Sequence, residues 1–163
     1  SYIVAETYVM GDFERAGSDG FRRLFDYIGG KNEKQTSISM TAPVSQRPDS
    51  EKIKMTAPVT QERENQRWRV TFMVPSVYSM ETLPIPDDDR IALKQEKSKI
   101  VAAIRYSGTW GKKRYEDHEI KLMDWIVKKG WKTIGPPVWA RYNPPFMPWF
   151  LRRNEILIPV EIQ

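Results

Sequence analysis

Residues 20-GFRRLFDYIGGKNEKQTSISMTAPV-44 hold a helix, a turn and a strand in one run. Phe21, Leu24, Phe25 and Ile28 recur at i, i+3, i+4 and i+7, which places them on one helical face. Arg22, Arg23 and Asp26 fall elsewhere. Ser18 or Asp19 offers a side-chain oxygen that can cap a first turn. The helix is therefore predicted to start there, after a loop over Gly11–Gly17. Gly29-Gly30 supplies a residue that turns left-handed easily at the other end. The run closes on ISMTAPV (38–44), and the text returns as IKMTAPV (53–59). Two-residue alternation puts Ile38, Met40, Ala42 and Val44 on one face, and Ile53, Met55, Ala57 and Val59 likewise. The copies are predicted to pair as strands across the polar tip Gln46–Lys52. Proline donates nothing to a ladder, so Pro43 and Pro58 belong at strand ends or an edge.

Outward from this run, Tyr2–Met10 reads as a strand on its β-formers. Downstream, Trp68–Val74 is a strand closed by Pro75, and Ser76–Asp89 is a long irregular connection. Arg90–Glu96 and Lys99–Tyr106 are strands. Lys112–Lys129 is a second helix with Tyr115, Leu122, Trp125 and Ile126 inward and Gly130 at its end. Trp131–Ile134 and Val138–Tyr142 are short strands, and Asn143–Phe150 is a loop rich in proline and aromatics. Arg153–Ile162 is the final strand, with Ile156, Ile158 and Val160 on one face. Turns join most strand pairs, so the sheet is predicted to be largely antiparallel. Two helices on a curved sheet or barrel make an α+β fold. The order strand, helix, strands occurs twice, which predicts two structurally similar halves. No linker-like stretch interrupts 1–163, so the chain reads as a single domain.

Composition narrows the function. At 163 residues with 40% hydrophobic content the chain can build a substantial core. It contains no cysteine, which removes disulfides, thiolate metal sites and Cys nucleophiles. No apolar run approaches the roughly 18 residues of a membrane-spanning helix. No signal-peptide profile is present. The first residue is Ser1 rather than Met, so a leader or tag is expected to have been removed; a cytoplasmic and an exported protein both fit. The net charge of +5 reads either as solubility, with acids and bases interspersed, or as attraction for anions.

No Gly-rich phosphate loop, G-x-S-x-G elbow or HExxH occurs, so no enzyme class is indicated. His118 is the only histidine. It reads either as a half-exposed helix residue or as an axial metal ligand or acid–base group. The basic clusters Lys112-Lys113-Arg114 and Arg152-Arg153 are short and flanked by acids, so nucleic acid is not expected as a partner. The most informative segment is apolar. Tyr142–Leu151 sets several large side chains among three prolines, which stiffen it. This loop and the Phe21–Ile28 face read either as plain core or as two walls of a cleft for a flat apolar ligand. Arg22, Arg23, Arg152 or Arg153 would then hold anionic groups of that ligand.

Taken in order, GFRRLFDYIGGKN, ISMTAPV, FMVPS (72–76), P-x-P-x-D (84–88), YSG (106–108) and RYNPPF…RRNEILIPV (141–160) resemble the SOUL family of haem-binding proteins. The resemblance spans nearly the whole chain. It implies a distorted antiparallel β-barrel with two helices and two pseudo-symmetric halves. It also implies non-covalent binding of haem or another tetrapyrrole in a shallow apolar groove between the first helix and the loop before the last strand. Carried over by position, the contacts are Phe21, Leu24, Phe25, Tyr142, Phe146 and Met147. Some members carry an iron-ligating histidine ahead of the first helix; this chain has none there. Outside haem carriage, buffering or sensing, the open alternatives are another flat hydrophobe, bound or converted, and a protein-interaction role for the Pro/aromatic loop.

Overall fold

The computed structural model describes residues 1–35, 50–54, 57–143 and 147–162. The first copy of the echoed strand (38–44), residues 46–49 of the tip, Met55, Thr56 and Phe146 lie outside the described residues. Strand β1 (Tyr2–Val9) leads into helix α1 (Phe13–Ile28), then the short β2 (Asn32–Glu33). Strands β3 (Val59–Glu64) and β4 (Arg67–Met73) form a hairpin, followed by β5 (Ile85–Pro86), which pairs with β2, and by β6 (Ile91–Glu96). The second half holds β7 (Val101–Ser107), α2 (Lys112–Lys128), β8 (Lys132–Thr133), β9 (Val138–Arg141), a 3-10 turn (Trp149–Leu151) and β10 (Arg153–Glu161).

The main sheet runs β6-β1-β4-β3-β9-β10-β7, with β8 also on β10, and every ladder is antiparallel. Its centre is the β3–β9 pair, where Gln61 faces Trp139 and Val59 faces Arg141. On either side of that seam the order repeats: β3-β4-β1 in one direction and β9-β10-β7 in the other. Among the described residues no ladder joins β6 to β7, and the sheet is not closed. Both helices cover the same face. Phe21, Leu24, Tyr27 and Ile28 of α1 pack with Ala5, Val59, Val70 and Phe72. Leu122 and Ile126 of α2 pack with Trp139, Ile156 and Ile158. The opposite face carries a charged cluster. Glu6, only 1% exposed, accepts from Arg69 at 2.6 Å and pairs with Lys94; Arg69 also binds Glu62 at 2.7 Å and pairs with Glu96.

The structure differs from the sequence reading at four points. First, α1 is capped by Asp12, whose side chain accepts from the Arg15 amide at 2.9 Å, not by Ser18 or Asp19. The sequence Gly11–Gly17 reads as a loop because of its glycines, but Gly17 lies inside the helix. So does Gly20, where a Cβ would sit 2.5 Å from the Val70 side chain. Hydrogen there lets the helix axis come down onto β4. Second, the described part of 53–59 is not a strand before Val59. Ile53 instead donates its amide to the Ile28 carbonyl at 2.8 Å, tying the segment to the end of α1. Pro58 has no amide to donate, and the ladder begins after it. Third, the strand that follows, Val59–Glu64, pairs with β4 through a turn at Asn65, where φ is 57°. Its polar text, VTQERE, hides a buried Val59 and Gln61. Fourth, Trp125 is not inward: it is 43% exposed and packs edge-on against Trp131 at 5.2 Å.

Candidate functional site

The outer stripe of α1 carries Glu14, Ser18, Phe21 and Phe25, spaced at i, i+4, i+7 and i+11. Phe21 and Leu24 are buried in the first core; Phe25 is 44% exposed and stacks on Phe21 with ring centres 5.9 Å apart. The N-terminal part of this stripe faces the end of β9. Gly17 touches Arg141, and a methyl group in its place would collide with the guanidinium and with Gln61. From Arg141 a column of stacked groups leads outward. The guanidinium carbon lies 4.1 Å from the Trp139 ring centre and 4.7 Å from that of Trp110. Arg152 also lies over the Trp110 ring, at 4.2 Å. Arg152 in turn donates to the Met147 carbonyl at 2.8 Å. This column links Arg141, through Trp110 and Arg152, to the segment before β10.

A groove of about 350 Å3 opens here, lined by Glu14, Ser18, Thr109, Trp110, Gly111 and Arg141. The Trp110 indole is fixed: Nε1 donates to the Asn154 side-chain Oδ1 at 2.9 Å, and Asn154 Nδ2 donates to the Gly108 carbonyl at 3.2 Å. Glu14 accepts from the Lys112 amide at 3.2 Å, so α1 supplies the cap that Gly111 cannot give to α2. Arg141 is 4% exposed. Its Nη2 reaches Gln61 at 3.4 Å, Nε has no hydrogen-bond partner, and among the described residues no carboxylate pairs with it. Burial lowers its pKa to about 10, which still leaves it a cation at neutral pH.

The other predicted contacts have local tasks. The Tyr142 hydroxyl donates to Glu155 at 2.6 Å, and burial pushes its pKa up to about 12. Arg153 forks onto Glu155 and lies over the Tyr142 ring at 4.2 Å. Met147 is half-buried. Arg23 donates to the Thr7 hydroxyl at 2.5 Å and the Tyr8 carbonyl at 3.3 Å, while Arg22 is exposed. His118 stacks on Tyr106 at 4.2 Å with Nδ1 2.7 Å from the Arg114 carbonyl oxygen, and it does not line the groove. Among the described residues no cluster of His, Cys, Asp or Glu could hold a metal ion. Trp149, Phe150 and Leu151 are exposed. The groove offers one indole and one guanidinium, and His118, the sole histidine of the sequence, lies outside it. A larger cavity, about 620 Å3, lies away from this site against Tyr2, Ile3, Met73, Tyr78 and Met80.

Glu14, Trp110 and Arg141 did not emerge from sequence reading. Arg141 left one trace. It shares strand parity with Trp139, so a buried tryptophan implies a buried arginine two residues on.

The model of the SOUL heme-binding protein family matches residues 1–159. The chain belongs to this family. Heme-binding protein 1 of Xenopus laevis is 26% identical over 152 residues, spanning 88% of this chain and 70% of the relative. Heme-binding protein 1 of Sus scrofa is 24% identical over 145 residues, with the same spans. Among solved structures, the EcmrR C-terminal domain covers 99% of this chain and 92% of its own at a TM-score of 0.63 and 13% identity. A hydrolase from Listeria innocua covers 98% and 87% at a TM-score of 0.58 and 10% identity. At such identities the structures share a fold with this SOUL-family chain, and nothing about chemistry follows from them. No helix among the described residues is long and apolar enough to cross a membrane.

Proposed function

We propose that this chain binds haem or a related tetrapyrrole non-covalently along α1 and the segment before β10, as a carrier, buffer or sensor. The observation that carries the reading is the family match over residues 1–159. The described geometry supports it: Phe25 stands exposed on a buried Phe21, and Met147 lies beside the Trp110 column. Phe25, Met147, Tyr142 and Phe146 would meet the ring, while Phe21 and Leu24 back Phe25 from the core. A porphyrin bound in this way gains from apolar burial and ring stacking. The same reading takes the sheet as a distorted barrel. Pro136, from the segment before β9, lines a pocket on the outer face with Glu6, Tyr8 and Lys94 of the first half, as strong curvature would require.

Hemin titration tests the proposal. A saturable Soret shift is expected, and Phe25→Asp or Met147→Asp should abolish it. Non-saturating binding that ignores both substitutions would sink it. A second reading rests on Trp149, Phe150 and Leu151, which stand exposed together on one turn. Such a patch suits a protein partner, and that reading predicts capture of a partner that is lost on Trp149→Ala with hemin binding intact.

A further inference from the structure

The Arg141 guanidinium is a cation taken out of water, and among the described residues no carboxylate forms an ion pair with it. It is 4% exposed, Nε makes no hydrogen bond, and among the described residues its polar contacts reduce to Gln61. Two indole rings, of Trp139 and Trp110, offset part of the cost. They leave Nε without a hydrogen bond. A guanidinium presents its donors as a planar fork that matches a carboxylate. The residue lines a groove whose far wall, Thr109–Gly111, leads into the N-terminus of α2, where no side chain of the N-cap residue is bonded. The helix dipole adds positive potential there. Everything around the fork is held in place. Trp110 is tied to Asn154, Asn154 to Gly108, and Gly17 leaves no room for the arginine to move toward α1.

We infer that this groove is a carboxylate-binding subsite, in which Arg141 takes an anionic group of a ligand whose apolar body lies along Phe25. The identity of that body rests on the tetrapyrrole reading above; the subsite itself does not. Glu14 opposes it. Its carboxylate lines the same groove while accepting from the Lys112 amide. Arg141 and the helix terminus attract an anion there and Glu14 repels it, so Glu14 weakens the subsite for a carboxylate ligand. Arg22, Arg23 and Arg153 are not the ligand's anchors in this arrangement.

The experiment compares the full chain with Arg141→Met and Glu14→Gln, titrated with hemin and with hemin dimethyl ester. Wild type is expected to bind hemin about tenfold more tightly than the ester, a difference near 1.4 kcal/mol. Arg141→Met should lose about that factor for hemin and leave the ester unchanged. Glu14→Gln keeps an acceptor for the Lys112 amide and should tighten hemin binding several-fold. Equal hemin affinity in wild type and Arg141→Met overturns the inference and leaves the tetrapyrrole reading standing. Should Arg141→Met fail to fold, Glu14→Gln decides: tighter hemin binding supports the subsite, and unchanged binding overturns it. Absence of saturable hemin binding to wild type removes the tetrapyrrole reading instead. The subsite is then judged with 1-naphthoate, which should raise the wild-type Tm and shift Glu14→Gln further. No rise in wild type overturns it.

Discussion

One row of side chains crosses the sheet from β1 to β7 and differs sharply between the halves. On the first side of the seam it reads Ala5, Phe72, Val59; on the second it reads Arg141, Asn154, Tyr106. All six are buried. The strand order around the β3–β9 seam matches Val59 with Arg141, Phe72 with Asn154 and Ala5 with Tyr106. In this row the first half presents hydrocarbon, and the other spends the equivalent positions on polar groups. The helices differ to match. Eight residues of α1 are buried, against Leu122 and Ile126 alone in α2. The comparison teaches that the shared scaffold tolerates a buried polar row where aromatic rings shield it and an opening to solvent lies next to it. Tyr106 shows the cost. Its hydroxyl is buried with no partner, and burial raises its pKa to about 12.

The comparison can be broken first at the seam. Trp139 is fully buried in the second core and stacks at 4.6 Å on Phe13 from the helix of the first half. Trp139→Ala should cost about 3–5 kcal/mol. A urea melt should keep a single transition at a lower midpoint; two separate transitions would mean the halves are independent. Next, Gly20→Val should cost about 1–3 kcal/mol by overfilling the contact with Val70. Trp125→Ala on the exposed side of α2 should stay within about 0.5 kcal/mol, and equal losses in thermal melts would erase the contrast between the helices.

The smallest effect concerns acid. The Arg90 fork, with donors at 2.8 and 2.7 Å, holds the Asp88 carboxyl down to about 2 from an ordinary 3.8. A lowered carboxyl pKa contributes stability above the unfolded value, and this is lost as pH falls through the folded one. Wild type should therefore exceed Asp88→Asn slightly at pH 7, with the gap closing between about pH 4 and 2. A gap that persists at pH 2 would mean Asp88 acts through packing instead.

Much of the fold was legible because apolar spacing is periodic. The strands Tyr2–Val9, Arg67–Met73, Ile91–Glu96, Val101–Ser107 and Arg153–Glu161, and helix α2, follow from two- and 3.6-residue patterns with Gly or Pro at their ends. Sequence reading failed where one residue type has two meanings. Glycine punctuates loops, and it also lets a helix approach a strand; Gly17 and Gly20 do the second. VTQERE lacks a hydrophobic alternation because Gln61 fills an inward position, bonding the Phe13 carbonyl at 2.8 Å. Within the candidate site, the Phe21–Phe25 stack follows from helical spacing, whereas Arg141 gives no local signal. Exposed-looking arginines such as Arg153 attract attention by clustering, yet Glu155 occupies Arg153. Arg141 stands alone in VWARY, and only the cross-strand register makes it a buried neighbour of Trp139 and Asn154.

The position of β10 carries a consequence for assembly. It lies between β9 and β7 and also meets β8, so all three of its partners precede it in the chain. In the first half, β1, β3, β4 and β6 are all made before Glu96 has passed. During synthesis the first half can condense early, while β7 lacks a strand partner and β9, paired with β3 on one side, keeps its other edge open until β10 arrives. Asn154, which locks Trp110, arrives with that strand. The polar row and its groove are therefore among the last parts of the molecule to form, and slow pairing of distant segments makes this waiting interval the point at which aggregation threatens.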